Sequence, residues 1–294
     1  MYHFRSKNPA NMPIKIWKND SLYPPLLRET HGAPQRLFCL GQKPNPADKY
    51  FAIVGTRRPS IYGKQMAEEF SGAIAARGFV IVSGLAYGID AIAHEAAINA
   101  GGRTIAVLGS GLDHITPTCN LKLAARIQSS GCILTEYEAD VSPKKFTFPE
   151  RNRIIAGMSI ATLVIEAPER SGALITARLA LDFNRDVFAL PGNITQLSGL
   201  GSNKLIRDGK AFPVTGIQDI FDYLECGEAS DSQKPRGLMP NEEMIYDLLK
   251  SSPLTIDQII AETELPAPQI TTLLSMLELK GVIQIKGAHA FVTR

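Results

Sequence analysis

The chain has 294 residues, 45% of them hydrophobic, which is enough for one large domain with a proper core and a second, smaller one. Its net charge of +2 is unevenly placed: nine anions oppose six cations over residues 228–294, a net of −3, which leaves +5 on residues 1–227. A polyanion is therefore expected to be drawn to the body of the chain and mildly repelled by its tail.

The four cysteines are isolated, with no C-x-x-C pair, so we expect neither a metal site nor a redox couple. The N-terminal residues do not form a signal peptide, and no apolar run is long enough to span a bilayer. These features predict a soluble, reduced, cytoplasmic protein without membrane contact. No cofactor is expected.

Residues 1–49 are rich in proline and basic side chains. They predict an extended lead-in that packs on the main domain. From Tyr50 the chain becomes regular, because short apolar runs alternate with glycine and then with amphipathic helical spacing. Continuous apolar strands of this kind are typical of parallel sheets covered on both faces. Residues 50–226 therefore predict a doubly wound, mostly parallel α/β sheet of the Rossmann-like kind.

A Ser/Asp/Lys/Pro/Gly-rich stretch at 227–240 predicts a linker. Residues 241–294 predict three short helices, with Asn241 and Thr255 as caps of the first two, followed by a strand, a turn and a strand. This is the pattern of a winged helix-turn-helix domain.

In a doubly wound sheet the ligand crevice lies beyond the carboxyl ends of the strands. Gly55-Thr56-Arg57 follows the first strand there, and we favour Arg57 as a phosphate ligand over a solvated turn residue. The chain contains neither a G-x-G-x-x-G fingerprint nor a P-loop. Ser171-Gly172, before a later helix, either seat a phosphate or simply cap that helix.

Ser83-Gly84 follow the second strand, and Asp90 and His94 lie one helical turn apart after them. One histidine and one carboxylate are too few for a metal site and lack the third member of a triad. We therefore interpret Asp90 as a helix N-cap or first-turn acid, and no catalytic residue is predicted.

The stretch from Ser142 to Ala156 combines cations and aromatic rings, with four cations and one anion over residues 143–153. It predicts a proline-containing loop that leads into a helix start at Arg151-Asn152-Arg153. Single-stranded nucleic acid needs this combination, since phosphates attract charge and unpaired bases stack on rings. The alternative is a surface loop whose phenylalanines pack into the core. Composition alone leaves both interpretations open.

Several motifs, in this order, closely resemble the bacterial DNA-processing protein A family (DprA, also called Smf), from about Tyr23 to Leu224. The motifs are Gly55-Thr56-Arg57, Ser83-Gly84-x-Ala86-x-Gly88-Ile89-Asp90-x3-His94, Phe148-Pro149-x-Arg151-Asn152-Arg153-Ile154-Ile155, Ser171-Gly172-Ala173-x-Ile175-Thr176-Ala177 and Pro191-Gly192. The resemblance implies a Rossmann-like domain that binds single-stranded DNA, forms a homodimer, and helps to load the RecA recombinase on incoming strands during natural transformation. It implies no enzymatic activity.

By this resemblance, Arg57 grips a phosphate, while a loop lysine and Phe148 contact backbone and base. Lys145 matches that lysine, with Lys144 beside it as the alternative. The predicted DNA-binding residues are Gly55, Thr56, Arg57, Ser83, Gly84, Lys144, Lys145, Phe148, Arg151, Asn152, Arg153, Ser171 and Gly172. Many members begin with a small helical domain, which the segment before Tyr23 is too short to hold.

Two other functions fit the sequence less well. A nucleotide or nucleoside-phosphate hydrolase on a related fold is disfavoured because the Gly-Gly-x-Gly-Thr-x3-Glu signature of such enzymes is missing at Arg170 to Thr176. A winged helix that reads duplex DNA is disfavoured because its recognition helix, from Pro268 to Lys280, holds one lysine and no arginine. We expect a protein-contact or weak duplex-binding role there. The segments 212–214 and 217–224 are the candidates for a dimer interface.

Overall fold

The computed structural model describes residues 12–227, 238–251, 254–263, 265–280, 282–286 and 289–292. The chain divides into a large unit, Met1–Ile220, and a small unit, Phe221–Arg294. Most of the linker predicted at 227–240 lies outside the described residues. No helix in the described ranges is long and apolar enough to cross a membrane.

The large unit is built on a nine-stranded sheet with helices between its strands. The strands are β1 (Ile14–Trp17), β2 (Arg36–Gly41), β3 (Tyr50–Val54), β4 (Val80–Ser83), β5 (Thr104–Val107), β6 (Cys132–Thr135), β7 (Ala161–Val164), β8 (Asp186–Ala189) and β9 (Phe212–Pro213). The helices are α1 (Pro25–Glu29), α2 (Ile61–Ala76), α3 (Ile89–Asn99), α4 (Leu121–Ser130), α5 (Thr147–Met158), α6 (Gly172–Asp182) and α7 (Leu200–Arg207). Helix α8 (Ile217–Gly227) begins at the end of the large unit and continues into the small one.

The strand order is β1-β2-β6-β5-β4-β3-β7-β8-β9, and the strands from β6 to β9 are parallel. The chain runs from β3 outward to β6 and then returns through α5 to place β7 on the other side of β3. This reversal is the topological switch point, where a doubly wound sheet opens a crevice. The predicted fold class is confirmed.

The lead-in takes a larger part in the fold than the sequence predicts. It supplies β1 and β2, which pair with each other, and β2 pairs antiparallel with β6, so that Cys39 lies opposite Leu134. An antiparallel edge on a parallel sheet is common in folds of this class. The boundary predicted at residue 49 therefore does not separate two structural parts.

Buried apolar strands form the core of the large unit. Every residue of β3, β4, β5, β6 and β7 is buried, as expected for strands covered by helices on both faces. Two of the hydroxyls among them are satisfied by main-chain carbonyls, since Ser83 donates to Ile53 O at 2.6 Å and Thr135 to Ser110 O at 2.7 Å. The buried hydroxyl of Thr162 in β7 has no hydrogen-bond partner among the described residues.

The small unit confirms the predicted winged helix-turn-helix. Its elements are α9 (Pro240–Ser251), β10 (Leu254–Thr255), α10 (Ile256–Thr263), α11 (Ala267–Leu279), β11 (Ile283–Lys286) and β12 (His289–Val292). Thr255 caps α10 as predicted, since Thr255 Oγ1 accepts from Gln258 N and Gln258 Oε1 accepts from Thr255 N. In α9, however, the Glu242 side chain caps the helix by accepting from Met239 N at 2.8 Å, so Asn241 is not the cap.

His94 is fully buried on α3 and neutral in the folded protein. Its Nδ1 lies 2.6 Å from Thr104 Oγ1, and that hydroxyl donates to Ile81 O at 2.8 Å. The hydroxyl proton is thereby engaged, so Nδ1–H must be the donor to Thr104. Burial, together with the nearby charge of Arg151, lowers the pKa of His94 to about 3. The structural interpretation of His94 is thus consistent with its surroundings.

The lowered pKa predicts a pH-dependent stability. In the unfolded chain His94 takes up a proton below its ordinary pKa of about 6.5, whereas in the folded protein it does not until about pH 3. Its contribution to stability is therefore complete above pH 6.5 and is lost as the pH falls. Between about pH 7 and pH 5 the wild type should lose about 2 kcal/mol more unfolding free energy than His94→Asn. Urea unfolding at both pH values measures this, and equal losses would contradict it.

Candidate functional site

A cleft of about 550 Å³ opens at the switch point of the sheet. The loop after β3, the start of α5 and the loop before α6 form its walls. Its lining contains five cations and one carboxylate, namely Arg57, Arg58, Lys145, Arg151, Arg170 and Asp90. The cleft is thus strongly electropositive, and its natural ligand class is an anion.

The turn after β3 is held by the main chain, which leaves its arginines free to project. Thr56 N donates to Glu166 O at 2.7 Å, and Thr56 Oγ1 accepts from Arg58 N at 3.2 Å. Thr56 itself is buried, so it orders the turn and offers little surface to a ligand. Arg57 is exposed, and its guanidinium carbon lies 5.6 Å from the centroid of the Phe148 ring. A cation and an aromatic face therefore meet inside the cleft.

Helix α5 begins earlier than the sequence predicts. Its first residue is Thr147, so the Phe-Pro-x-Arg block lies within the first turns of a helix. Pro149 is compatible with this position because the first-turn N–H groups have no partner inside a helix. Phe148, Asn152 and Ile155 then share one helical face, and all three line the cleft. The helix start thereby sets which side chains of the block face the ligand space.

Arg151 lies at the floor of the cleft, where it is 4% exposed. Its Nη1 donates to Gly84 O at 2.7 Å and also to Val107 O, so the guanidinium joins α5 to the ends of β4 and β5. Burial lowers the pKa of Arg151 to about 10, which still leaves it charged at neutral pH. Its Nε and Nη1 donate to protein acceptors, so Arg151 helps to position the site, and its contact with DNA stays a prediction.

Asp90 shares this floor and is interpreted as a structural acid. Its Oδ2 accepts from Gly84 N at 3.1 Å and from Ala86 N at 3.4 Å, in the first turn of α3. Burial raises the pKa of Asp90, while the charge of Arg151 acts in the opposite direction. A Cβ on Gly84 would lie 2.2 Å from Arg151 Nη1, so glycine is the residue that fits between strand and arginine.

Three further predicted residues do not reach the cleft. Ser83 is fully buried and donates to a strand carbonyl, and Gly84 is covered by the Arg151 guanidinium. Arg153, on another face of α5, pairs with Glu136. Consecutive helix residues point about 100° apart, so the sequence could have shown that Arg153 lies on a different face from Asn152.

The remaining predicted residues surround the opening. Ser171 caps α6 by accepting from Ala173 N at 3.2 Å, and the exposed Gly172 follows it. Asn152 donates to Gly172 O at 3.3 Å and so orders this loop. Lys145 lines the cleft, whereas the exposed Lys144 lies outside it.

Two cleft cations were not among the predicted site residues. Arg58 and Arg170 both line the cleft and are exposed. Their position in the sequence could have identified them, because both lie in loops that follow parallel strands.

A doubly wound unit with a basic cleft at its switch point, combined with a winged-helix unit, defines a Rossmann-like protein class with a site for an anionic ligand. No group of three or more His, Cys, Asp or Glu side chains in the described part of the chain could hold a metal ion.

Comparison with known proteins identifies the family of the chain. The family model for DNA recombination-mediator protein A matches residues 15–225, and the DprA winged helix domain matches residues 229–287. Protein Smf of Synechocystis is 35% identical, with 96% of this chain and 80% of that protein covered. The chain therefore belongs to the DNA-processing protein A (DprA/Smf) family.

Two solved structures resemble the chain. The crystal structure of DprA from Streptococcus pneumoniae has a TM-score of 0.67 and 42% identity, covering 71% of this chain and 73% of that one. DNA processing protein A from Helicobacter pylori has a TM-score of 0.65 and 32% identity, covering 74% of this chain and 97% of that one. The Helicobacter structure describes that protein's mode of binding single-stranded DNA.

Substitution of the buried Arg151 and of the exposed Arg170 should change the stability of the protein to different extents. Arg151→Met should lower the free energy of unfolding by about 3 kcal/mol. The substitution leaves the carbonyls of Gly84 and Val107 without this donor and removes the positive charge near the buried Asp90. Arg170→Met, at an exposed position of the same cleft, should change it by less than about 0.5 kcal/mol. Urea denaturation measures both, and equal stability of the two variants would refute the positioning role.

Proposed function

We propose that this protein is a non-enzymatic, dimeric protein that binds single-stranded DNA in the switch-point cleft. The observation that carries this proposal is the Arg57 guanidinium beside the Phe148 ring in a cleft lined by further cations. Phosphates of a strand meet Arg57, Arg58, Lys145 and Arg170, while an unpaired base stacks on Phe148. Such a site has little sequence preference, because every base has a flat face.

The cleft geometry favours single strands over duplex. Phe148 is only partly exposed and lies within the cleft, where a paired and stacked base has no access to its ring. A single strand can turn a base into such a site at low cost. The support from relatives is the Helicobacter pylori protein and its single-stranded DNA binding mode.

The biological role follows from the family. We propose that the protein protects incoming DNA and helps to load the RecA recombinase during natural transformation. Residues 212–214 and 217–224 are each proposed to take part in a dimer interface, since β9 is the last strand of the sheet in the described part of the chain and its Phe212 is 49% exposed. A terminal strand with an exposed apolar side chain is suited to contact with a second copy.

The winged-helix unit is proposed to contact protein. Helix α11 carries no arginine or lysine along Ala267–Leu279, and Lys280 after it lies 2.7 Å from Glu242. Met276 and Leu279 on this helix are exposed, at 51% and 88%. A recognition helix with apolar tips and no cation of its own is poorly suited to a phosphate backbone.

Removal of the cleft cations tests the DNA-binding proposal. Arg57→Ala combined with Lys145→Ala should weaken binding of a labelled oligo-dT strand by about ten- to a hundredfold. It should also reduce the slope of log affinity against log salt by roughly 1.4, about 0.7 for each lost phosphate contact. Fluorescence anisotropy over a salt series measures both quantities.

A matched control removes one lysine and one arginine elsewhere. Lys43 and Arg77 are exposed at the opposite edge of the sheet, where β4 and β6 begin. Lys43→Ala with Arg77→Ala should leave affinity and slope unchanged. If both double variants behave alike, the cleft is not the DNA site, and release of base or phosphate from common nucleotides becomes the next assay.

Duplex binding tests the winged-helix proposal separately. In the full chain carrying Arg57→Ala and Lys145→Ala, the cleft is weakened, so tight duplex binding would have to come from the small unit. We expect any duplex affinity of this variant to be weaker than about 10 µM at physiological salt, in the range of non-specific binding. Anisotropy with a labelled duplex measures it, and nanomolar binding would show that the winged helix reads duplex DNA.

A further inference from the structure

Phe146 is an exposed aromatic residue at the rim of the cleft. Its side chain is 57% exposed, and it does not line the cleft, whereas Phe148 two residues later does. Packing therefore does not explain it, because more than half of the ring surface remains in water. An exposed large aromatic beside a charged site points to a binding surface.

The backbone that carries Phe146 is fixed by hydrogen bonds. Thr147 Oγ1 accepts from Lys144 N at 3.1 Å and donates to Lys144 O at 2.8 Å. Glu150 N donates to Phe146 O at 3.2 Å, so Phe146 also accepts the first hydrogen bond of α5. The ring thus projects from an ordered helix start, which lowers the entropic cost of stacking on it.

A cation accompanies this ring, as one does inside the cleft. Lys144 Nζ lies 5.7 Å from the centroid of Phe146, and the Arg57 guanidinium carbon lies 5.6 Å from that of Phe148. A nucleotide combines a flat base with a phosphate, so a ring with a neighbouring cation matches one nucleotide. Two such pairs are therefore present, Arg57 with Phe148 inside the cleft and Lys144 with Phe146 outside it.

We propose that Lys144 and Phe146 form a second nucleotide site outside the cleft, which binds another nucleotide of the same single strand. The base stacks on Phe146, and the phosphate lies near Lys144. This inference rests on the proposed function, since the strand is the one held by Arg57 and Phe148. It assigns Lys144 to the outer site and Lys145 to the cleft.

DNA ligands of different length can distinguish the two sites experimentally. A strand of roughly 20 nucleotides reaches both, whereas a thymidine dinucleotide in the cleft is too short to use the outer ring fully. Phe146→Ala and Phe146→Leu should weaken binding of the long strand by about 5- to 100-fold, since stacking needs a flat ring. Both should leave the affinity for the dinucleotide, measured by competition, unchanged.

Two further variants serve as controls. Phe146→Tyr keeps the aromatic face and should retain the wild-type affinity. Leu197→Ala truncates another apolar side chain, 77% exposed and away from this loop in sequence, and should also bind normally. Equal long-strand affinity of Phe146→Ala and the wild type would overturn the outer site, and so would an equal loss with both ligands.

A spectroscopic measurement reports stacking directly. The chain has a single tryptophan, Trp17, so Trp17→Phe with Phe146→Trp places the only indole at the outer site. The long strand should quench its fluorescence, whereas the dinucleotide should not. Absence of quenching by a strand that binds would refute the inference alone. A wild-type protein that binds no single strand would instead refute the proposed function, and the outer site with it.

Discussion

The guanidinium of Arg151 is the interaction on which the site depends. It reaches from α5 to the carbonyls at the ends of β4 and β5, and it is buried at the floor of the cleft. Because α5 is the crossover that returns the chain to β7, this contact fixes the crossover against the strands on the far side of the switch point. Without it, the wall that carries Phe148 and Asn152 would lose these hydrogen bonds to the strand ends.

The same arrangement concentrates positive charge. Burial lowers the pKa of Arg151, and the like charge of Arg57 lowers it further. Asp90 provides the opposing charge within the lining, and its carboxylate is occupied by backbone N–H groups. The remaining excess positive charge is relieved when an anion enters. The fold thus holds the cations close together through backbone contacts, and a bound anion would balance their excess charge.

Much of the fold could be predicted because continuous apolar strands followed by glycine are a strong pattern. The edge formed by β1 and β2 was missed, since proline-rich, basic flanks conceal two short strands whose partners are distant in sequence. The start of α5 was missed because Pro149 signals a loop, although the first turn of a helix accepts proline.

The site was less predictable than the fold for a geometric reason. Arg151, Asn152 and Arg153 are consecutive in sequence, yet Arg151 is buried at the floor of the cleft, Asn152 lines its wall and Arg153 pairs with Glu136. Composition describes all three as one basic block. Only the position of the helix start, and the approximately 100° between neighbouring side chains, separates the supporting arginine from those that remain available.

The segment around the start of α5 places some of its side chains inside the cleft and others outside it. Just before the first residue of α5 the side chains diverge: Lys145 lines the cleft, while Lys144 and Phe146 do not. Within the first turn of the helix, Phe148 lines the cleft again. The hydroxyl of Thr147 bonds to both polar groups of the Lys144 backbone and so orders this segment. The ordered backbone therefore presents one ring inside the cleft and one to the surrounding water.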